Sequence, residues 1–120
     1  MRAMMTGIMT KIFAALVLTA ALIGVGAIGA RAQDSAAVTI TIKNHRFQPA
    51  ELSAPANVPI TLHVKNLDPT PMEFESVSLR VEKVVTGNSE GIVRLRPLSP
   101  GRYNFFDDFH QETNGTLVVR

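Results

Sequence analysis

The chain has 120 residues, no cysteine, 12 basic and 10 acidic side chains and a formal net charge of +2. Arg2, Lys11 and Arg31 fall within the first 32 positions, so the other 88 residues carry nine basic against ten acidic groups, a net of −1. That balance offers no basic patch for nucleic acid or an anionic lipid surface, and the lack of cysteine excludes disulfides, thiolate nucleophiles and thiolate metal ligands.

The first element is a leader. Arg2 and Lys11 make a positive start, Ile12 to Ile28 is an almost unbroken apolar run, and Ala30-Arg31-Ala32 precedes the polar Gln33-Asp34-Ser35. This order predicts a secretory signal peptide over residues 1–32 and export from the cytoplasm. The alternative is an uncleaved anchor helix, for which a run containing Gly24 and Gly26 is short. Contact with the membrane is expected only through this segment. The mature domain is then residues 33–120, enough for one domain. A domain of this size hides only about 60% of the surface its unfolded chain exposes, so a compact core, with or without a bound metal, has to hold it.

From residue 38 onward the pattern is β. Val38, Ile40 and Ile42 alternate with Thr39, Thr41 and Lys43; Ile60, Leu62 and Val64 alternate with Thr61, His63 and Lys65; Val93 and Leu95 alternate with Arg94 and Arg96; Leu117-Val118-Val119 closes the chain. Period-2 runs of this length, separated by Pro49, Pro55, Pro59, Asp68-Pro69, Gly87-Asn88, Pro100-Gly101 and Asn114-Gly115, predict half-buried strands. Val81 to Val85 fits either a strand or a short helical turn. Seven or so strands at this spacing predict an all-β, antiparallel Greek-key β-sandwich. Its expected core is Val38, Ile40, Ile42, Phe47, Leu52, Ile60, Leu62, Val64, Leu79, Val93, Leu95, Tyr103, Phe105, Leu117 and Val119.

The stretch from Gly101 to His110 carries the chemistry. With Tyr103 and Phe105 facing the core, strand periodicity puts Asp107 on the same face. A carboxylate there is costly unless it is paired, hydrogen-bonded or bound to a cation, and His110 follows three residues later. Asp107 and His110 are thus candidate metal ligands at a strand end. Asp107 has a second reading, as the cap of a turn through a local hydrogen bond.

Four segments resemble the cupredoxins. Tyr103-x-Phe105-x-Asp107-x-x-His110 followed by Gly115-Thr116-Leu117-Val118-Val119 is similar to the closing strand, ligand loop and last strand of that family. Phe47-x-Pro49-x-x-Leu52 resembles its opening hairpin, and Asn66 with Pro71-Met72-Glu73-Phe74 resembles the segment that supplies its first histidine ligand. The resemblance implies a cupredoxin-like sandwich with a metal at one end. It also marks departures: Asp107 stands where the family has cysteine and Met72 where it has histidine, and the loop after His110 lacks a methionine. A blue-copper centre owes its character to a copper–thiolate bond, so no type 1 centre is expected here. What remains is a copper or iron site of nitrogen and oxygen donors with one thioether, drawn from His110, Asp107, Met72, Glu73 and His45.

Glu73-Phe74-Glu75 together with Phe105-Phe106-Asp107-Asp108-Phe109-His110 is similar to the small cupredoxin-like periplasmic proteins of bacterial ferrous-iron uptake systems. That resemblance implies an accessory to an inner-membrane iron permease and a periplasmic partner, with a ferroxidase-like role left open. Two other functions compete: a copper carrier, against which a mature domain with the single methionine Met72 argues, and a metal-free protein–protein adaptor, which leaves the core-facing Asp107 unexplained. A hydrolase is not expected, because neither a nucleophile elbow nor an H-E-x-x-H motif is present. His63 sits on the polar face of its strand and reads as exposed. His45 reads as a loop residue or a ligand, Met72 as core filler or a ligand. Glu75 and Asp108 are expected on the outer face.

Overall fold

The computed structural model describes residues 34–120; the predicted signal peptide, residues 1–32, lies outside the described residues. Nine strands follow one another: β1 (Ala36–Lys43), β2 (Arg46–Gln48), β3 (Glu51–Ala54), β4 (Ile60–Asn66), β5 (Met72–Ser76), β6 (Val81–Val85), β7 (Ser89–Leu95), β8 (Gly101–Asp107) and β9 (His110–Val119). Among the described residues there is no helix. Val81–Val85, open between strand and turn from sequence, is the edge strand β6.

The strands form a four-stranded sheet ordered β2-β1-β4-β7 and a five-stranded sheet ordered β3-β9-β8-β5-β6. One expectation is corrected here. The sandwich is not antiparallel throughout, because β1 pairs with β4, and β3 with β9, in parallel. The reason lies in the connections. The chain reverses at the β1–β2 hairpin, passes through Pro49 into β3 on the other sheet, and reverses again before β4. Two reversals return β4 to the direction of β1, and no sequence period records that.

The inward positions pack as their alternation requires. Ile40, Ile42, Ile60, Leu62, Val64, Phe74, Phe105, Leu117 and Val119 are almost fully shielded from solvent, while Val38 and Tyr103 pack at the margin. Met72, Val85 and Leu98 join the core beyond the expected set. Phe105 sits between Phe47, edge-on at 4.9 Å between ring centres, and Phe74, tilted at 5.0 Å. Each such pair contributes about 0.5–1.5 kcal/mol beyond its buried area. The ring of Phe105 lies over the backbone of its cross-strand partner Gly115, where a Cβ would come within 2.6 Å of it. Only glycine leaves that room.

Candidate metal centre

Two tight turns at one end of the sandwich build the site. Between β1 and β2, Lys43 pairs with Arg46, leaving Asn44 and His45 as a two-residue loop. Both have positive φ, 52° and 55°. Such a left-handed pair matches the twist of the flanking strands, and Asn and His tolerate it better than most residues. Asp68, in the β4–β5 loop, holds the turn from below. Its carboxylate accepts the backbone N–H of Asn44 at 2.7 Å and of His45 at 3.0 Å. Asp68 is held in turn by Asn66, whose Oδ1 accepts the Asp68 N–H while its Nδ2 donates to Thr70, Val85 and Thr86 carbonyls. On the far side, Thr113 donates its hydroxyl to the His45 carbonyl. Burial by itself would raise the Asp68 pKa. The two backbone donors and the nearby His45 and His110 rings outweigh it and hold the carboxyl below its ordinary value.

The second turn joins β8 to β9, with Asp107 paired to His110 across a two-residue tip. Asp107 is completely buried. Its Oδ1 accepts the Phe109 N–H and the Glu73 N–H, both at 3.0 Å, and its Oδ2 lies 3.1 Å from His110 Nδ1. The turn-capping role foreseen as the second reading of Asp107 is therefore filled by Oδ1, and Oδ2 faces the imidazole. His110 and His45 stack above it with ring centres 4.0 Å apart, tilted by 35°.

One donor atom from each of His45, Asp107 and His110 lies within 4.8 Å of the others. Donors sharing an ion at about 2.1 Å each sit at most about 4.2 Å apart, so small side-chain rotations bring all three onto one metal. The buried carboxylate can alternatively accept the Nδ1 proton of His110 and turn Nε2 outward, as carboxylates behind metal-binding histidines commonly do. Both imidazoles reach solvent, with side-chain exposures of 46% for His45 and 31% for His110. A cleft of about 190 Å³ lined by His45, Ala50, Thr113 and their neighbours opens beside His45.

Of the other two sequence candidates, Glu73 turns its carboxylate away from this trio, and Met72 lies in the core at the same end. Met72 is 2% exposed in the core. The β5–β8 register and the Asp108 N–H to Glu73 carbonyl bond run Met72 toward the β8–β9 tip, at the same end as His110. Glu73 is on the opposite face of β5: it reaches the site through its backbone N–H alone, and its carboxylate gathers with Glu75 and Asp108. His63 is half-buried beside Glu90 on the outer side of β4. Sequence reasoning missed Asp68, although its spacing from Asn66 in the loop before Pro71 was the available signal.

A family model described as the cupredoxin-like domain matches residues 12–119. A protein of Rickettsia prowazekii (strain Madrid E), called uncharacterised, is 43% identical over 83 residues; the match spans 68% of this chain and 66% of that protein, just under two thirds of its length. Three solved structures share the fold. The metal-binding domain of a Cu(I)-exporting P-type ATPase from Streptococcus pneumoniae superposes with a TM-score of 0.64 at 16% identity, covering 70% of this chain and 84% of that one. Auracyanin A, a blue copper protein of Chloroflexus aurantiacus, gives 0.61 at 14%, covering 72% and 100%. A purple cupredoxin from Nitrosopumilus maritimus gives 0.54 at 20%, covering 69% and 99%. A type 1 copper centre does not fit this chain, which has no cysteine, whereas an ion held by imidazole and carboxylate does. With nearly the whole chain matched and the sandwich in place, the protein belongs to the cupredoxin-like domain family.

Proposed function

We propose that this protein is a periplasmic metal-binding accessory of high-affinity ferrous-iron uptake, holding copper or iron through His45 and His110 over the buried Asp107. The observation that carries the reading is the convergence of those three side chains in a cupredoxin-like fold without cysteine. Imidazole serves copper and iron alike, and a carboxylate favours Cu(II), Fe(II) and Fe(III) over Cu(I). Asp107 orients His110 through its Oδ2, and the exposed rings let the ion enter and leave. The partners of this reading are an inner-membrane iron permease and a periplasmic redox or carrier protein. Metal binding is expected to weaken in acid, since imidazole ligates only when neutral.

A second reading, periplasmic copper carriage, draws support from Met72 at the same end of the sandwich as the two histidines. Uptake of radioactive iron by a deletion strain separates the two. Complementation with wild type is expected to restore uptake under iron scarcity, and His110→Ala or Asp107→Ala to fail. Normal uptake by the double variant would overturn the iron reading, and copper sensitivity in its place would favour the carrier.

A further inference from the structure

The outer face of the five-stranded sheet carries a second cluster, made wholly of carboxylates. Glu73 and Glu75 project from β5 and Asp108 from the β8–β9 tip, with one oxygen of each within 4.8 Å of the others. Glu82 on β6 lies directly across from Glu75 in the register. Like charges facing one another across a strand pair destabilise it. None of them forms an ion pair: those among the described residues use Asp68, Glu90, Glu51 and Asp107.

Glu73 makes the cluster more than an acidic surface. It is more than nine-tenths buried, at 8% exposure, and its Oε1 is shielded from solvent and accepts no hydrogen bond from any N–H or hydroxyl of the protein, the carboxyl of Glu82 being its polar neighbour. A buried carboxylate oxygen without a donor is costly, and two facing carboxylates need either a shared proton or a bound cation to offset it. Asp108 is held in place, since its Oδ1 accepts from Gln111 Nε2 at 2.9 Å and its N–H donates to the Glu73 carbonyl at 2.9 Å.

We propose that Glu73, Glu75 and Asp108, with Glu82 at the rim, form a second cation site, separate from the histidine pair, that takes a hard divalent cation on oxygen donors alone. Without nitrogen or sulfur in the cluster, the ion it suits is of the Mn(II), Ca(II) or Mg(II) class. Such an ion supplies the partner that Glu73 Oε1 lacks and balances charges that the fold leaves uncompensated. The histidine site and this one are made of different side chains and are joined by the Glu73 N–H to Asp107 Oδ1 bond. Each stands or falls without the other.

Mn(II) is the probe, followed by loss of the free-ion EPR signal with protein purified from cells expressing the full-length chain. The expected result is stoichiometric Mn(II) binding that survives His45→Ala, His110→Ala and saturation with Cu(II). Glu75→Gln and Asp108→Asn are each expected to weaken it by about tenfold or more. Both positions are half-buried, and a melt without metal verifies that each variant folds; Mn(II) should raise the melting temperature of wild type and not of the variants. Failure of wild type to bind Mn(II) would overturn the site, leaving a proton shared between Glu73 and Glu82 to balance the cluster. Mn(II) binding that persists in Glu75→Gln and vanishes in His110→Ala would overturn it equally.

Discussion

The Glu73 N–H donates to Asp107 Oδ1 at 3.0 Å while the Glu73 side chain turns to the opposite face of β5. One residue thus fixes the carboxylate beneath His110 through its backbone and contributes to the acidic cluster through its side chain. The contact also explains how Asp107 is tolerated at 0% exposure: both of its oxygens have partners, two backbone donors on Oδ1 and the imidazole on Oδ2. In a cupredoxin-like sandwich without cysteine, this core-facing carboxylate braces the β8–β9 turn and contacts a histidine.

Cu(II) added to the purified protein is expected to bind without an intense thiolate-to-copper band in the visible spectrum, because no thiolate exists to donate charge. The EPR spectrum should instead show nitrogen couplings from two imidazoles. His45→Ala should leave coupling from one. An intense blue colour, or an unchanged coupling pattern in that variant, would contradict the site.

Asp68 holds the turn that carries His45 and is not one of the three converging donors. Asp68→Ala removes the acceptor for the Asn44 and His45 amides. Hydrogen bonds to a charged group contribute about 1.5–3 kcal/mol, so a loss of about 2 kcal/mol is expected in chemical denaturation. The β1–β2 turn should loosen, and Cu(II) affinity should fall by about tenfold even though every candidate ligand is retained. Asp68→Ala with unchanged affinity would show that His45 is not positioned this way.

Gly115→Ala tests the packing beneath the site. The new methyl would stand 2.6 Å from two Phe105 ring atoms and 2.9 Å from the Ala50 carbonyl oxygen. Overpacking of this kind costs about 1–3 kcal/mol, measurable as a lower denaturation midpoint. Phe105→Leu in the same chain should recover part of what Gly115→Ala loses relative to Phe105→Leu alone, since the ring is the main obstacle.

Stability in the absence of metal should depend on pH through the acidic cluster. A side-chain hydrogen bond with Glu82, burial, and the charges of Glu82, Asp108 and Glu75 lift the Glu73 carboxyl from 4.5 to about 7. Burial, then Asp108 and Glu82, raise Glu75 as well. The folded chain therefore keeps a proton that the unfolded chain releases above 4.5, so stability is greatest near that value and declines as pH rises toward about 7. Asp68 acts in the other direction at lower pH, because its lowered carboxyl loses its contribution as pH falls below 3.8. Denaturant midpoints across this range should peak in mild acid, and Glu82→Gln should flatten the decline toward neutrality.

Much of the fold was legible in the chain itself. Alternation identified the inward faces of β1, β4, β7 and β8, and the Tyr103-x-Phe105-x-Asp107 period put Asp107 on the core side, where it lies fully buried. That works because a strand's two faces meet different solvents and its side chains strictly alternate. The same rule separates Met72 from Glu73, neighbours in sequence that emerge on opposite faces of β5, so both cannot serve one centre by their side chains. The chain alone offered them together because a motif has no faces until its strand is paired.

What only the tertiary structure decided is how distant turns meet. The His45 ring centre comes to lie 4.0 Å from that of His110 because Asp68 pins a left-handed turn and Thr113 holds its carbonyl, contacts between residues far apart in sequence. The parallel pairing of β1 with β4 depends on the number of chain reversals between them. Glu82 joins Glu73 and Glu75 only through the β5–β6 register. Local composition and period specify which side of a strand is apolar, because that preference is set residue by residue by water. Which polar groups face one another across the end of the sandwich is set by loop geometry and register, which belong to the folded chain as a whole.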